Sequence, residues 1–194
     1  MSFAKKLALA ALLVAPLYAS ADVTNGQLTF TWQGTIPARV LSGDWKFVDA
    51  LGNDYVSTPQ TLSTSVDADN NVNLNTSSPV TFNIKSNTGS INGITAYLAS
   101  APVATGFKGS RQLDLQETST APENNKVLIT INGQALKVGS SDAVTVTGSG
   151  NDRPISLGLY AKATQDAYDA GSSVSFTTPV VFGVDITSAL PSTI

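Results

Sequence analysis

Residues 25–36 read Asn25-Gly26-Gln27-Leu28-Thr29-Phe30-Thr31-Trp32-Gln33-Gly34-Thr35-Ile36. Leu28, Phe30, Trp32, Gly34 and Ile36 fall on one side of an extended segment, with Thr29, Thr31, Gln33 and Thr35 on the other. This is the period-2 pattern of a half-buried strand, and it is the cleanest strand signal in the chain. A segment this close to the start of a mature chain is loose unless something holds it, so where its apolar face is buried becomes the functional question. The expectation is burial in another molecule.

Upstream of it, Lys5 and Lys6 precede an apolar run from Leu7 to Leu17 and then Ala19-Ser20-Ala21. A basic start, a short apolar stretch and an A-x-A cleavage pattern make residues 1–21 a secretory signal peptide, cut before Asp22. The run is too short to span a bilayer of roughly 30 Å. What remains is the size of one domain on the usual prior of about 100 to 200 residues. Lys5 and Lys6 leave with the signal, so of 11 Lys+Arg nine remain against 14 Asp+Glu, a mature charge of about −5 before the termini are counted. No basic face is evident, and nucleic acid is not an expected partner.

Only 13% of residues are charged, and Thr, Ser, Asn, Val and Gly abound, a composition that suits strands and turns. The chain is expected to be all-β. It contains neither Cys nor His, so disulfides, His- or Cys-based catalysis and His/Cys zinc sites are excluded together.

Downstream, a short strand is expected within Arg39 to Val48. Leu51-Gly52-Asn53-Asp54 is a turn, and Thr61 to Asn75 alternates weakly around an Asp/Asn-rich centre. Val80-Thr81-Phe82-Asn83-Ile84 alternates clearly, and Ile91 to Ala99 follows with Ile94, Ala96 and Leu98 on one face. Pro102 to Ser110 reads as a loop and Glu117 to Asn125 as a polar connection. Asn132-Gly133, between Lys126–Ile131 and Gln134–Val138, is the strongest two-residue hairpin signal present. Pro154 to Ala163 is a longer strand, and Val174 to Ile186 closes the chain with Val180, Phe182, Val184 and Ile186 alternating. Short strands at this spacing predict a sandwich of two sheets.

Chemistry-bearing motifs are sparse. Asp67-Ala68-Asp69-Asn70-Asn71-Val72 begins like a calcium loop, but Val72 stands where Gly is required and Ser78 where a bidentate acid is required. A solvated loop is expected there, with no metal and no cofactor. Leu190-Pro191-Ser192-Thr193-Ile194 lacks the final Gly of a sortase signal, and the one Ser-x-x-Lys lies inside the signal peptide. Nothing places a carboxylate pair for acid–base work. Lys108 and Arg111 beside Phe107 form a small basic spot that could meet an acidic receptor, the commoner fate being a solvated loop; Trp45 could stack on a sugar or sit at a strand edge.

The signal peptide followed by N-G-x-(apolar)-x-F-x-W-x-G-x-(apolar) resembles the donor extension of chaperone-usher pilins, with Trp32-Gln33-Gly34 matching its aromatic-x-Gly. Pro154 to Ala163, Asp169-Ala170-Gly171 and Val180 to Ile186 are similar to the last two strands of those pilins. The likeness is greatest to the cysteine-free coli surface antigen colonisation-factor pilins, on Val23 to Phe30, Trp32 to Gly34 and Asn132 to Gly139. Ala38 and Val40 occupy the region where type-1 pilins begin their Cys pair. Thr187 to Ile194 run past the place where such chains usually stop.

The resemblance implies an incomplete immunoglobulin-like β-sandwich completed by donor-strand exchange. Residues 1–21 would be the signal, 22–36 the donor extension and 37–194 the domain. It implies a structural, non-enzymatic major subunit of an adhesive fimbria, exported through the periplasm to the cell surface. The implied partners are identical or homologous pilin subunits, a periplasmic chaperone and an outer-membrane usher, with a host cell-surface receptor as a further one. Leu28, Phe30, Trp32, Gly34 and Ile36 would enter a neighbour's groove, and Val180, Phe182, Val184 and Ile186 would edge the chain's own groove and meet the chaperone. The alternative from a different class is a self-contained secreted β-sandwich, a carbohydrate-binding or adhesin module, in which residues 28–36 are an ordinary first strand.

Overall fold

Alternation of apolar and polar residues generates most of the strands seen in a computed structural model, which describes residues 43–188. The expected signal peptide, the donor extension with Leu28, Phe30, Trp32, Gly34 and Ile36, and residues 189–194 lie outside the described residues. Thirteen strands are described: β1 (Trp45–Val48), β2 (Leu62–Val66), β3 (Val72–Thr76), β4 (Val80–Ser86), β5 (Gly89–Leu98), β6 (Val103–Thr105), β7 (Asp114–Leu115), β8 (Lys126–Ile131), β9 (Gln134–Ala135), β10 (Val144–Val146), β11 (Asp152–Ala163), β12 (Ser175–Thr177) and β13 (Val180–Ser188). Short 3-10 turns occupy Lys108–Ser110, Ser140–Asp142 and Gln165–Ala167, and no α-helix occurs among the described residues.

The long strand β11 organises the larger sheet. Along one edge it pairs first with β4 and then with β3, and along the other with β8. β1 extends this sheet beyond β4, and β2 extends it beyond β3. The facing sheet has the order β10-β5-β13. β1, β4, β11 and β8 in one sheet against β5 and β13 in the other reproduce the A-B-E-D and C-F order of an immunoglobulin-like sandwich. The expected all-β sandwich is therefore present. Its core contains Leu74, Phe82, Ile84, Ile94, Leu98, Ile131 and Ile155, contributed by both sheets.

Turn chemistry fixes the registers. Asn132 and Gly133 have φ of 46° and 81°, the paired positive values of the turn that matches strand twist. Asn132 is further held because its Oδ1 accepts the Ser156 N–H at 2.7 Å. The second strand of this hairpin is shorter than the expected Gln134–Val138. After Ala135 the chain turns Leu136 into the core and crosses to the other sheet, where Lys137 O accepts the Leu98 N–H.

The expected loop Pro102–Ser110 contains β6, which pairs with β12 to form a small separate sheet. The expected single closing strand is accordingly divided at Thr178-Pro179, its first part joining β6 and its second joining β5. The Asp/Asn-rich centre is the turn of the β2–β3 hairpin. Asp67 accepts the backbone N–H groups of Asp69 and Asn71 and pairs with Lys162 at 2.9 Å. The Lys162 ammonium, with Asn71, holds the Asp67 carboxyl well below the usual carboxylate range. Among the described residues no cluster of acids is arranged to hold a metal.

Candidate functional site

β13 is paired over all nine residues with β5, and its other edge has no strand partner among the described residues. Its side chains alternate as the sequence requires: Val180, Phe182, Val184 and Ile186 turn inward and pack on the core, yet remain only partly buried. Gly183, Asp185 and Thr187 are exposed. β5 lies along one side of β13, and among the described residues no strand lies along the other.

The opposite margin is β1, paired with β4 and, among the described residues, the end of its sheet. Phe47 on β1 and Phe182 on β13 meet edge-to-face with ring centroids 5.5 Å apart. Phe82 on β4 touches both, at 5.6 Å from Phe47 and 5.7 Å from Phe182. Trp45 packs on Phe47 at 5.1 Å, and Tyr55 stacks on Phe82 at 4.9 Å. Burial pushes the Tyr55 phenol above its ordinary value. The two sheet margins thus close on an aromatic floor bounded by the β13 edge that has no strand partner among the described residues. Such an edge offers a backbone ladder for affinity and alternate apolar positions for register, the two requirements of strand addition.

Trp45 is therefore a partly buried strand-edge residue packed on Phe47. The sequence reading missed Phe47 and Phe82 as the floor beneath Phe182. Each was legible as an inward position of its own strand, but their meeting with a strand a hundred or more residues later was not.

Lys108 and Arg111 lie together at the first 3-10 turn, and each faces a carboxylate. Lys108 pairs with Asp169 at 3.1 Å and Arg111 with Asp166 at 2.8 Å. Hydrogen bonding from Thr164 and the Arg111 guanidinium hold the Asp166 carboxyl below its usual range. Phe107 is buried against Phe176, at 5.9 Å. The polar connection after β7 is also ordered from within. The buried Gln116 amide donates to carbonyls of Thr118, Thr120 and Ala121, while its oxygen accepts the Glu123 N–H at 2.9 Å. A polar recess at the end of β13, lined by Ser86, Asn87, Thr88, Asn151 and Thr187 among others, contains no titratable side chain.

No protein-family model matches the chain. The CS5 fimbrial subunit of Escherichia coli is 38% identical to it over 185 residues, spanning 86% of this chain and 90% of that protein. That span exceeds residues 43–188, so the similarity takes in part of the terminal segments as well as the sandwich.

Proposed function

Because the chain belongs to the family of the CS5 fimbrial subunit, we propose that it is a structural subunit of a cell-surface fimbria that polymerises by strand addition at β13. The open edge of β13 is the observation that carries this reading. Residues 22–36 of one subunit lie along that edge in the next, with Leu28, Phe30, Trp32 and Ile36 meeting the row of Val180, Phe182, Val184 and Ile186. Gly34 permits close backbone approach. Its own domain, residues 37–194, receives the same strand from another subunit.

The energetics suit a polymer. Burying Leu28, Phe30, Trp32 and Ile36 at ~1.5 to 3 kcal/mol each contributes about 6 to 12 kcal/mol as an upper-end sum, comparable to the ~5 to 15 kcal/mol that holds a whole domain folded. A subunit without this strand is marginal and exposes an aggregating edge. It therefore needs a temporary occupant during export through the periplasm, a chaperone that lends a strand, and an usher at which one strand replaces the other. The role is structural and involves no catalysis. Contact with an acidic host receptor at Lys108 and Arg111 would require the ion pairs to Asp169 and Asp166 to open.

Deleting residues 22–34 tests the proposal. The truncated subunit should be exported and held by the chaperone but should give no fibres, whereas fibres of normal length would overturn the assignment. The mature full chain expressed alone should aggregate or form ladders of polymers. A stable soluble monomer is the result expected of a self-contained sugar-binding sandwich.

A further inference from the structure

Ile91 and Ile94 are both buried on β5, although a spacing of three puts residues of a regular strand on opposite faces. A β-bulge reconciles them. Asp185 of β13 pairs with Gly93, and the next residue, Ile186, pairs with Ile91, so that Asn92 is the extra residue of β5. The bulge is held from outside by Asn92, whose Oδ1 accepts the Thr187 hydroxyl at 2.6 Å and whose amide reaches Asp185 at 3.4 Å.

From inside it is held by Arg153. This arginine has the parity of Ile155 on β11 and is only 3% exposed, with no carboxylate partner among the described residues. Its Nη2 donates to the Ile91 carbonyl at 2.8 Å and its Nε to Gly150 O at 3.4 Å, while Nη1 makes no hydrogen bond among the described residues. β10 pairs with β5 only from Ala96 to Ile94. Arg153 therefore reaches across the sandwich to a backbone group beyond the end of that ladder and on the far side of the bulge. A buried guanidinium is costly to desolvate, so its donation to one carbonyl in the opposite sheet points to a role in fixing that carbonyl.

We propose that Arg153 is a positioning residue for strand acceptance: by holding Ile91 it sets the register of the last three β5–β13 pairs and keeps Ile91, rather than Asn92, in the core opposite Ile186. The role in acceptance rests on the strand-addition reading of β13, while the effect on register does not. Loss of the contact lets β5 slip by one residue, which turns every side chain beyond the slip to the other face and changes the end of the groove that Ile186 lines.

The chain has no cysteine, so engineered pairs report register directly. In the full chain made with its assembly machinery, Ser90→Cys with Thr187→Cys reads the present register, Ile91→Cys with Thr187→Cys reads the slipped one, and Tyr97→Cys with Val181→Cys serves as a control. In an Arg153→Met background the 90–187 disulfide should fall about tenfold, as expected for loss of a buried hydrogen bond from a charged group. The 91–187 disulfide should appear, the control should persist and detergent-resistant ladders should decline. An unchanged 90–187 yield would overturn the inference.

If the control is also lost in Arg153→Met, the same comparison is read in Arg153→Gln, whose shorter amide does not reach Ile91. A lowered 90–187 yield with the control intact supports the role; an unchanged yield, or loss of the control again, overturns it in favour of a purely global stabilising role. Ladders that survive deletion of 22–34 in the parent would instead overturn strand addition and leave the register result standing.

Discussion

Phe47 and Phe182 join the margins of opposite sheets, their rings 5.5 Å apart and inclined at 71°. The contact bridges β1, at the end of its sheet among the described residues, and β13, whose outer edge has no strand partner among them, so the two sheet margins close on the same pair. Phe182→Ala should lower the denaturant resistance of the polymer by up to about 3 kcal/mol, the lower end of the range for burying and deleting a phenyl ring. A double-mutant cycle with Phe47→Ala, read from urea midpoints, should give a coupling of about 0.5 to 1.5 kcal/mol.

Val184 turns inward from the middle of β13 and is only partly buried. If a strand adds at β13 as proposed, Val184→Asp places a carboxylate against its apolar side chains, and an unpaired buried charge costs several kcal/mol. Detergent-resistant ladders should disappear. Val181→Thr, on the other face of the same strand, should leave them intact.

Gly133 occupies the left-handed region with φ of 81°, and a Cβ there has open space around it. The cost of Gly133→Ala is thus conformational rather than steric, about 1 kcal/mol or somewhat more. It should appear as a lower urea midpoint with an unchanged slope.

Asp67 supplies a pH dependence. The Lys162 ammonium and the Asn71 groups lower its folded-state pKa beneath the unfolded value, so the folded protein takes up this proton less readily than the unfolded chain. The resulting stabilisation is complete above the unfolded pKa of about 4 and is lost as pH falls through the lower folded value. Urea midpoints measured downward from pH 5 should fall less steeply in Asp67→Asn than in the parent.

Strands whose partners are local, or whose alternation is strong, were legible in the sequence: β4, most of β5, the β8–β9 turn, β11 and the inward set of β13. Those built on non-local pairing were not. Nothing in Val103–Thr105 or Ser175–Thr177 alone announces that these triplets pair with each other. The bulge at Asn92 was hidden because it breaks the period that a pattern search relies on. Arg153 was hidden because a charged residue at an inward position is ordinarily read as the end of a strand. The acids opposite Lys108 and Arg111 come from a segment more than fifty residues away, so the pairing follows from the fold and not from spacing. The resemblance implied a groove edged by Val180, Phe182, Val184 and Ile186; among the described residues the strand that carries them is paired on one side alone.

The placement of β13 also dictates when the domain can finish folding. β5 is made early, and it acquires its nine-residue partner only after about eighty further residues have been synthesised. Pairing across so long a separation is intrinsically slow. The second sheet is therefore a late product of chain growth, and β13, the strand that joins it last, has no strand partner on its other edge among the described residues.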